Sequence, residues 1–311
     1  MHGPRFATAR GLPHNQQVSH SPPASAPAPA RASDTQGFGN LLNQLAIGVR
    51  AGQWWYFLAL PAAALPAGLW RAQPARALAS WAGGAAIAAL CLGYAYAING
   101  LSERGTDLDF HKNPWIGQDV LPGARAAVAG LAALALVAAA AAGWLALGAS
   151  AVSVAAATLY SAGPRTKSRV ALGTLSNGLI FGPLLLVAPG AVIDRGLVGW
   201  LGTFVALLLQ NQLVHEQADA AEDAAAGDRS TAAWLGAGGT RLALAALGLA
   251  AAVAAAYAVN SSLAQGITWT AVVLASAVAL SARPAPWRRR WQRWISFAGG
   301  ALAYASIVGA A

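Results

Sequence analysis

The sequence predicts an all-α, polytopic membrane protein: a bundle of nine transmembrane helices. Three observations predict it. Of the 311 residues, 57% are hydrophobic and only 10% are charged, whereas a soluble domain carries about 25% charged residues. Apolar runs near the length needed to cross a bilayer, about 20 residues at 1.5 Å rise each, recur along the chain. The basic residues collect in the loops of one side, as cytoplasmic loops do. The net charge of +9 is explained by those loops, so the expected partner is the lipid bilayer and no nucleic-acid partner is expected.

Residues 1–38 are rich in Pro, Ala, Ser and Gln, with SPPASAPAPARAS at their centre. Such a composition cannot bury a core, so a disordered cytoplasmic tail is expected there. It contains no apolar run of signal-peptide type. His2, His14 and His20 are too scattered in it to argue for a metal site. Residues 39–311 form the second expected unit, the membrane domain. The expected spans are 53–70, 78–98, 123–142, 144–162, 172–189, 197–214, 241–258, 266–282 and 295–310. Only Gly143 and Trp144 separate the third from the fourth. Ala and Gly dominate many spans, and small residues let helices approach closely in lipid. The single cysteine, Cys91, falls inside an apolar run and reads as a small core residue, so no disulfide framework is expected.

Placing the N-terminus in the cytoplasm puts 17 of the 20 basic residues on that side. Only Arg71, Arg76 and Arg195 fall outside. This asymmetry agrees with nine spans in the cell membrane and a cytoplasmic N-terminus. The loop RPAPWRRRWQRW, from Arg283, also falls on the inner side. Its Arg and Trp residues read as headgroup anchors.

The acidic residues are scarce and concentrated. Of eleven, nine lie in two stretches or just after the first: Glu103, Asp107, Asp109 and Asp119, then Glu216, Asp219, Glu222, Asp223 and Asp228. Both stretches follow apolar spans, and both fall on the cytoplasmic side. In the first, Asn99, Glu103 and Asp107 recur every four residues, which puts an amide and two carboxylates on one helix face. In the second, Asp219 and Asp223 repeat that spacing. Two carboxylate clusters facing each other can hold hard divalent cations through oxygen. Mg²⁺ is commonly shared between a few carboxylates and substrate phosphates. A metal there would neutralise a leaving diphosphate, and Arg104 and Lys167 are candidates to complete the clamp.

These stretches resemble the motifs of the UbiA-type intramembrane prenyltransferases. The first resembles that family's N-x-x-x-D-x-x-x-D motif through Asn99, Glu103, Arg104 and Asp107, continued by Lys112, Asn113 and Pro114. The second resembles its other acidic motif through His215, Glu216, Asp219, Asp223, Gly227 and Ser230. YSAGPRTKSR, from Tyr160, resembles the family's connector, with Lys167 in the lysine place; NGLIFGP and VRAGQWWYFLALP resemble two further segments. The likeness covers about residues 45 to 310. Two positions depart from the pattern: Glu103 stands where an aspartate is usual, and Gly100 where many members carry an aspartate.

The resemblance implies a UbiA-like bundle and a reaction. A prenyl diphosphate would place its head between the motifs and its tail in a lipid-facing tunnel. Asn99, Glu103, Asp107, Asp219 and Asp223 would hold Mg²⁺ and diphosphate. Arg104 and Lys167 would stabilise the leaving group, with Asp219 in the catalytic set and Tyr160 bordering the site. The resulting allylic cation would pass to an aromatic or lipid acceptor, a hydrophobic partner of unknown identity. Two alternatives stand beside transfer. In a UbiA-type terpene cyclase the same cation is captured within its own chain. In a cation-binding transporter acids would be expected at mid-span, whereas these lie at helix ends.

Overall fold

The computed structural model of the chain describes residues 34–105, 113, 115–117, 119–120, 123–226, 229–258 and 262–310; of Glu222 and Asp223 it describes the backbone only. Asp107 therefore lies outside the described residues. The fold is all-helical, and no strand occurs among the described residues.

Among the described residues ten α-helices follow in order: α1 (Asp34–Gly48), α2 (Ala67–Ala72), α3 (Pro74–Glu103), α4 (Ala124–Ala142), α5 (Trp144–Ser161), α6 (Leu172–Phe181), α7 (Arg195–Ala226), α8 (Thr231–Ala258), α9 (Ser262–Leu280) and α10 (Ala285–Ala310). Among the described residues, six are long and apolar enough to cross a membrane: α3, α4, α5, α7, α8 and α9. The other three expected spans differ in form. The first is a 3₁₀ segment, Trp55–Ala64, followed by α2. It contains Pro61, and Pro66 follows; proline removes a backbone donor and clashes with the carbonyl four residues back, which breaks an α-helix. The fifth is α6 continued by a 3₁₀ segment, Gly182–Leu186, that starts at Gly182-Pro183 for the same reason. The ninth forms the C-terminal part of α10, which begins with the arginine-rich turns. α1 starts at Asp34, inside the stretch assigned to the tail.

The break between α4 and α5 is where the sequence predicts it. Gly143 has φ 126° and ψ 170°, a conformation that only glycine adopts readily. α3 and α7 run past their expected ends, to Glu103 and Ala226, so Glu103 and residues Glu216 to Asp223 of the second acidic stretch lie on helix.

The bundle is packed in two parts. α3, α4, α5 and the 3₁₀ segments share one core around Ile87, Cys91, Leu92, Val128 and Leu184. α7, α8 and α9 share another, around Ala251, Ala255, Val272 and Ala275, with Ile295 of α10 packed against it. Alanines at the contacts are fully buried, which brings the backbones close without a hydrophobic driving force. Large apolar side chains face outward instead, including Val137 at 68% exposure and Leu242 at 73%. Buried amides tie α10 to the second part. Asn211 donates to Gln292 Oε1 at 3.0 Å, Gln292 donates to Gln210 Oε1 at 2.5 Å, and Gln210 donates to the Leu244 carbonyl at 2.8 Å.

Candidate active site

The C-terminal turns of α3 and α7, the 162–171 loop and the first turns of α10 meet at one end of the bundle. They open on a chamber of about 1430 Å³ that passes between the two packed parts. Asp219 lines it near the mouth and Trp200 at depth, on one helix, so it runs about 28 Å along α7. Glu103, Lys167 and Asp219 line the mouth; Phe57, Phe181 and Phe204 line the middle; Tyr304 and Trp200 line the deep end. The Phe57 ring lies 4.7 Å from Phe181 and 6.2 Å from Phe204, which forms an aromatic band across the chamber.

The first motif is built on the last turns of α3. Asn99 Nδ2 donates to Glu103 Oε2 at 2.9 Å, as the four-residue spacing requires. Ser161, at the end of α5, donates to Asn99 Oδ1 at 3.2 Å and so fixes which way the amide faces. Glu103 is 3% exposed, and its Oε1 is paired with Lys167 Nζ. A carboxylate this buried needs that charge and that amide, because unpaired burial of an ion is costly. Arg104 lies in the exposed turn after α3 and does not line the chamber. Tyr160 does line it.

Gly100 has a physical reason. A Cβ there would stand 2.7 Å from Cδ1 of Trp115, a fully buried ring. Asn113 bridges the same contact: its Nδ2 donates to the Gly100 carbonyl at 2.9 Å, and its Oδ1 accepts from the Trp115 amide at 3.1 Å. The glycine and the asparagine together anchor the chain beyond α3.

The second motif divides into two roles. Glu216 is buried and accepts from Thr174 Oγ1 at 2.6 Å and from the Ala232 amide at 2.9 Å. It therefore ties α7 to α6 and to the first turn of α8. Asp219, one turn on, is half-buried and lies 3.3 Å from His215 Nδ1. Asp223 lies outside the described side chains. Among the described residues no three acidic, histidine or cysteine side chains gather to hold a metal. At the chamber mouth Asn99, Glu103 and Asp219 offer oxygens, the hard donors that Mg²⁺ takes, and His215 stands beside Asp219.

The structure adds residues that the sequence reading assigned to headgroup anchoring. Arg289 and Arg293 line the chamber. Arg293 donates to the Tyr56 hydroxyl at 2.8 Å, and its guanidinium stands 5.6 Å from the Tyr56 ring centre. The Arg50 guanidinium stands 5.6 Å over Tyr96. Burial, then the like charge of Arg293, lowers the Arg289 guanidinium below its usual value; Tyr96 and Asp219 oppose that shift. A signal was present in the sequence. In WRRRWQRW the arginines at 289 and 293 follow the four-residue helical spacing that puts them on one face.

The fold matches solved structures. A UbiA homologue from Archaeoglobus fulgidus bound to GPP and Mg²⁺ aligns with a TM-score of 0.65 at 18% identity, over 85% of this chain and 99% of that one. The same homologue bound to DMAPP and Mg²⁺ gives 0.62 at 19% identity, with the same coverage. The apo structure of a UbiA homologue from Aeropyrum pernix K1 gives 0.57 at 20% identity, over 82% of this chain and 95% of that one. A comparison with curated proteins finds no match. Residues 57–303, most of the chain, match the UbiA prenyltransferase family. With its apolar helices, its fold and that match, the chain is an integral membrane protein and belongs to the UbiA prenyltransferase family.

Proposed function

We propose that this protein transfers a prenyl group from a prenyl diphosphate to a hydrophobic acceptor, with Mg²⁺-assisted release of diphosphate. The observation that carries the reading is the polarity of the chamber, with charge at the mouth and an aromatic and aliphatic wall behind it. A prenyl diphosphate has the same polarity. The structural neighbours bound to GPP or DMAPP with Mg²⁺ support the donor class and the ion.

In this reading Asn99, Glu103 and Asp219, together with Asp107 and Asp223 from the sequence motifs, hold the ion. Bound there, Mg²⁺ would neutralise charge on the departing diphosphate. Ser161 and Asn99 orient the Glu103 carboxylate, so the site is set before substrate arrives. Lys167 supplies a positive charge beside it, aimed where negative charge grows as the bond breaks. Arg104, which the sequence motif also offers, would reach the diphosphate only from outside the chamber. The C–O bond between the allylic carbon and diphosphate breaks, and the electron pair leaves with diphosphate. The aromatic band of Phe57, Phe181 and Phe204 then faces the allylic cation, and aromatic faces stabilise cations. Tyr160 borders the point where the acceptor's carbon or oxygen forms the new bond. Once the new bond has formed, the acceptor gives up a proton to the released diphosphate or to water. Sidedness follows the basic residues: the mouth faces the cytoplasm.

Incubating the purified protein with Mg²⁺ and allylic diphosphates of several lengths tests the reading. Transfer predicts diphosphate release that depends on an added membrane extract and a prenylated product. Release without any acceptor, with a cyclic hydrocarbon as product, would assign cyclisation instead. No release with any donor would sink the proposal.

A further inference from the structure

Outside the chamber, α9 and α10 leave a second crevice between them on the outer surface of the bundle, about 540 Å³ in volume. Its walls are apolar, and Leu263 and Leu274 of α9 and Leu302 of α10 are each at least half exposed. Small residues close its floor: a Cβ at Gly299 would collide with the Ala271 side chain. It stays open at Gly266, where a Cβ would meet no atom within 4 Å. The Thr270 hydroxyl donates to the Gly266 carbonyl at 2.8 Å, within its own helix, so it adds no free donor to the wall.

One end of the crevice continues into a basic and aromatic rim. On α10, Trp287, Trp291, Ile295, Ala298 and Leu302 recur at steps of three and four, which makes them one stripe along the helix. The two tryptophans are exposed, with ring centres 6.1 Å apart, and the Arg283 guanidinium stands 5.8 Å from the Trp287 ring centre. Arg288 donates to the Ala279 carbonyl at 2.8 Å and to Gln217 at 2.9 Å, which fastens the rim to α9 and α7. Arg241 of α8 brings a like charge close to Arg288. No carboxylate among the described residues lies within ion-pair distance of Arg241, Arg283 or Arg288. Such a rim attracts an anion, as basic pockets between membrane helices do.

Length decides what fills the crevice. It runs about 10 Å along α10, from Ile295 to Leu302, and about 16 Å along α9, from Leu263 to Leu274. That is about half of a hydrocarbon core about 30 Å thick. A crossing helix of a second copy would need the full thickness, whereas an acyl chain of one leaflet needs half. Tryptophans sit at the level of the headgroups, so the crevice begins one helical turn further in, at Ile295, where an acyl chain begins. A surface anchor alone needs no crevice, and an acyl chain alone needs no arginines.

We propose that the α9–α10 crevice and its rim bind one anionic phospholipid of the cytoplasmic leaflet. One acyl chain lies in the crevice, and the phosphate sits at Arg283, in the field of Arg241 and Arg288. The site is independent of the prenyl-transfer reading. Its leaflet follows from the sidedness of the basic residues.

Native mass spectrometry of the full-length protein, freed of lipid in detergent and then titrated, tests the site. The probes are phosphatidylglycerol and phosphatidylcholine with the same acyl chains, and glycerol 3-phosphate, which has no chain. The unmutated protein is expected to hold one phosphatidylglycerol about tenfold more tightly than phosphatidylcholine, the size of a charge-assisted hydrogen bond. Glycerol 3-phosphate should not bind. Arg283→Gln should remove the preference and leave phosphatidylcholine binding unchanged. Arg283→Lys keeps the charge and should recover part of the preference, which separates that loss from misfolding. Gly266→Leu, which puts a side chain into the open part of the crevice, should weaken phosphatidylglycerol binding about fourfold for each methylene it displaces. Arg76→Gln, exposed at the other end of the bundle, should change nothing.

Equal affinity for the two lipids overturns the proposal, and so does phosphatidylglycerol binding that both Arg283→Gln and Gly266→Leu leave intact. Glycerol 3-phosphate bound as tightly as phosphatidylglycerol would make the rim a site for a soluble anion and overturn the crevice. A lipid-free dimer that dissociates in Gly266→Leu would seat a second copy there and overturn it as well.

Discussion

Replacing Lys167 by methionine tests how the first motif is held. Glu103 is 3% exposed and its Oε1 is paired with Lys167, while the Lys167 side chain keeps 23% of its surface exposed. The two partners are therefore unequal. Removing the lysine orphans the more buried charge, and breaking a buried pair in that way costs about 3–5 kcal/mol. The exposed quarter of Lys167 brings the expectation toward the lower end, about 3 kcal/mol. Glu103→Gln leaves an ammonium that can still reach water, and should cost about 1 kcal/mol. The double variant, Lys167→Met with Glu103→Gln, removes both charges and should recover most of the loss. A double that costs about 1 kcal/mol corresponds to a coupling of about 3 kcal/mol, the upper end of what contacting residues show. Unfolding midpoints in one detergent at one scan rate read the ranking. Turnover separates stability from chemistry, since all three variants should lose most of it, the double included. A Lys167→Met protein as stable as the unmutated one, or a double variant whose losses simply add, would refute the pairing.

Glu216→Ala removes the acceptor of Thr174 and of the Ala232 amide, and should cost about 3 kcal/mol, the size of lost hydrogen bonds to a buried charge. Glu216→Gln should cost less, as read from unfolding midpoints beside Thr174→Val. Gly100→Asp, which restores a residue usual in the family's motif, should lower stability by about 1–3 kcal/mol or more, because Trp115 must move. Loss of near-ultraviolet signal from the displaced indole is the readout. Deleting residues 1–33 should leave membrane accumulation and turnover nearly intact, since that composition has no apolar surface to bury; a truncated protein missing from membranes would reject this.

The helical class and the positions of most spans were legible because lipid-facing segments write their length directly into apolar runs. The spans at 53–70 and 172–189 were not legible as α-helices. Pro61 and Pro183 mark the breaks, but an apolar run reads the same whether its backbone is α or 3₁₀. At the site, the four-residue spacing correctly put Asn99 beside Glu103, because that contact is local to one helix. The Lys167 pairing joins residues 64 positions apart in sequence, so spacing could only nominate it. Arg104 has the right charge beside the motif, yet adjacency in a helix turns a side chain about 100° away, and its side chain is exposed. That Arg289 and Arg293 line the chamber was not legible, because a Trp and Arg mixture also suits a membrane surface and composition does not tell which side chains turn inward.

The central claim is that the two acidic motifs act on one substrate as a single unit. Mg²⁺-dependent diphosphate release, measured for Asp107→Asn, Asp223→Asn and their double variant at equal membrane expression, tests it most directly. Each single variant should lose most turnover, and the double should be little worse than either, because groups that act together are strongly non-additive. Glu222→Gln, about 100° around the helix from Asp223, should cost much less. Full activity in both single variants would contradict the account and leave the acidic stretches as solvated helix ends.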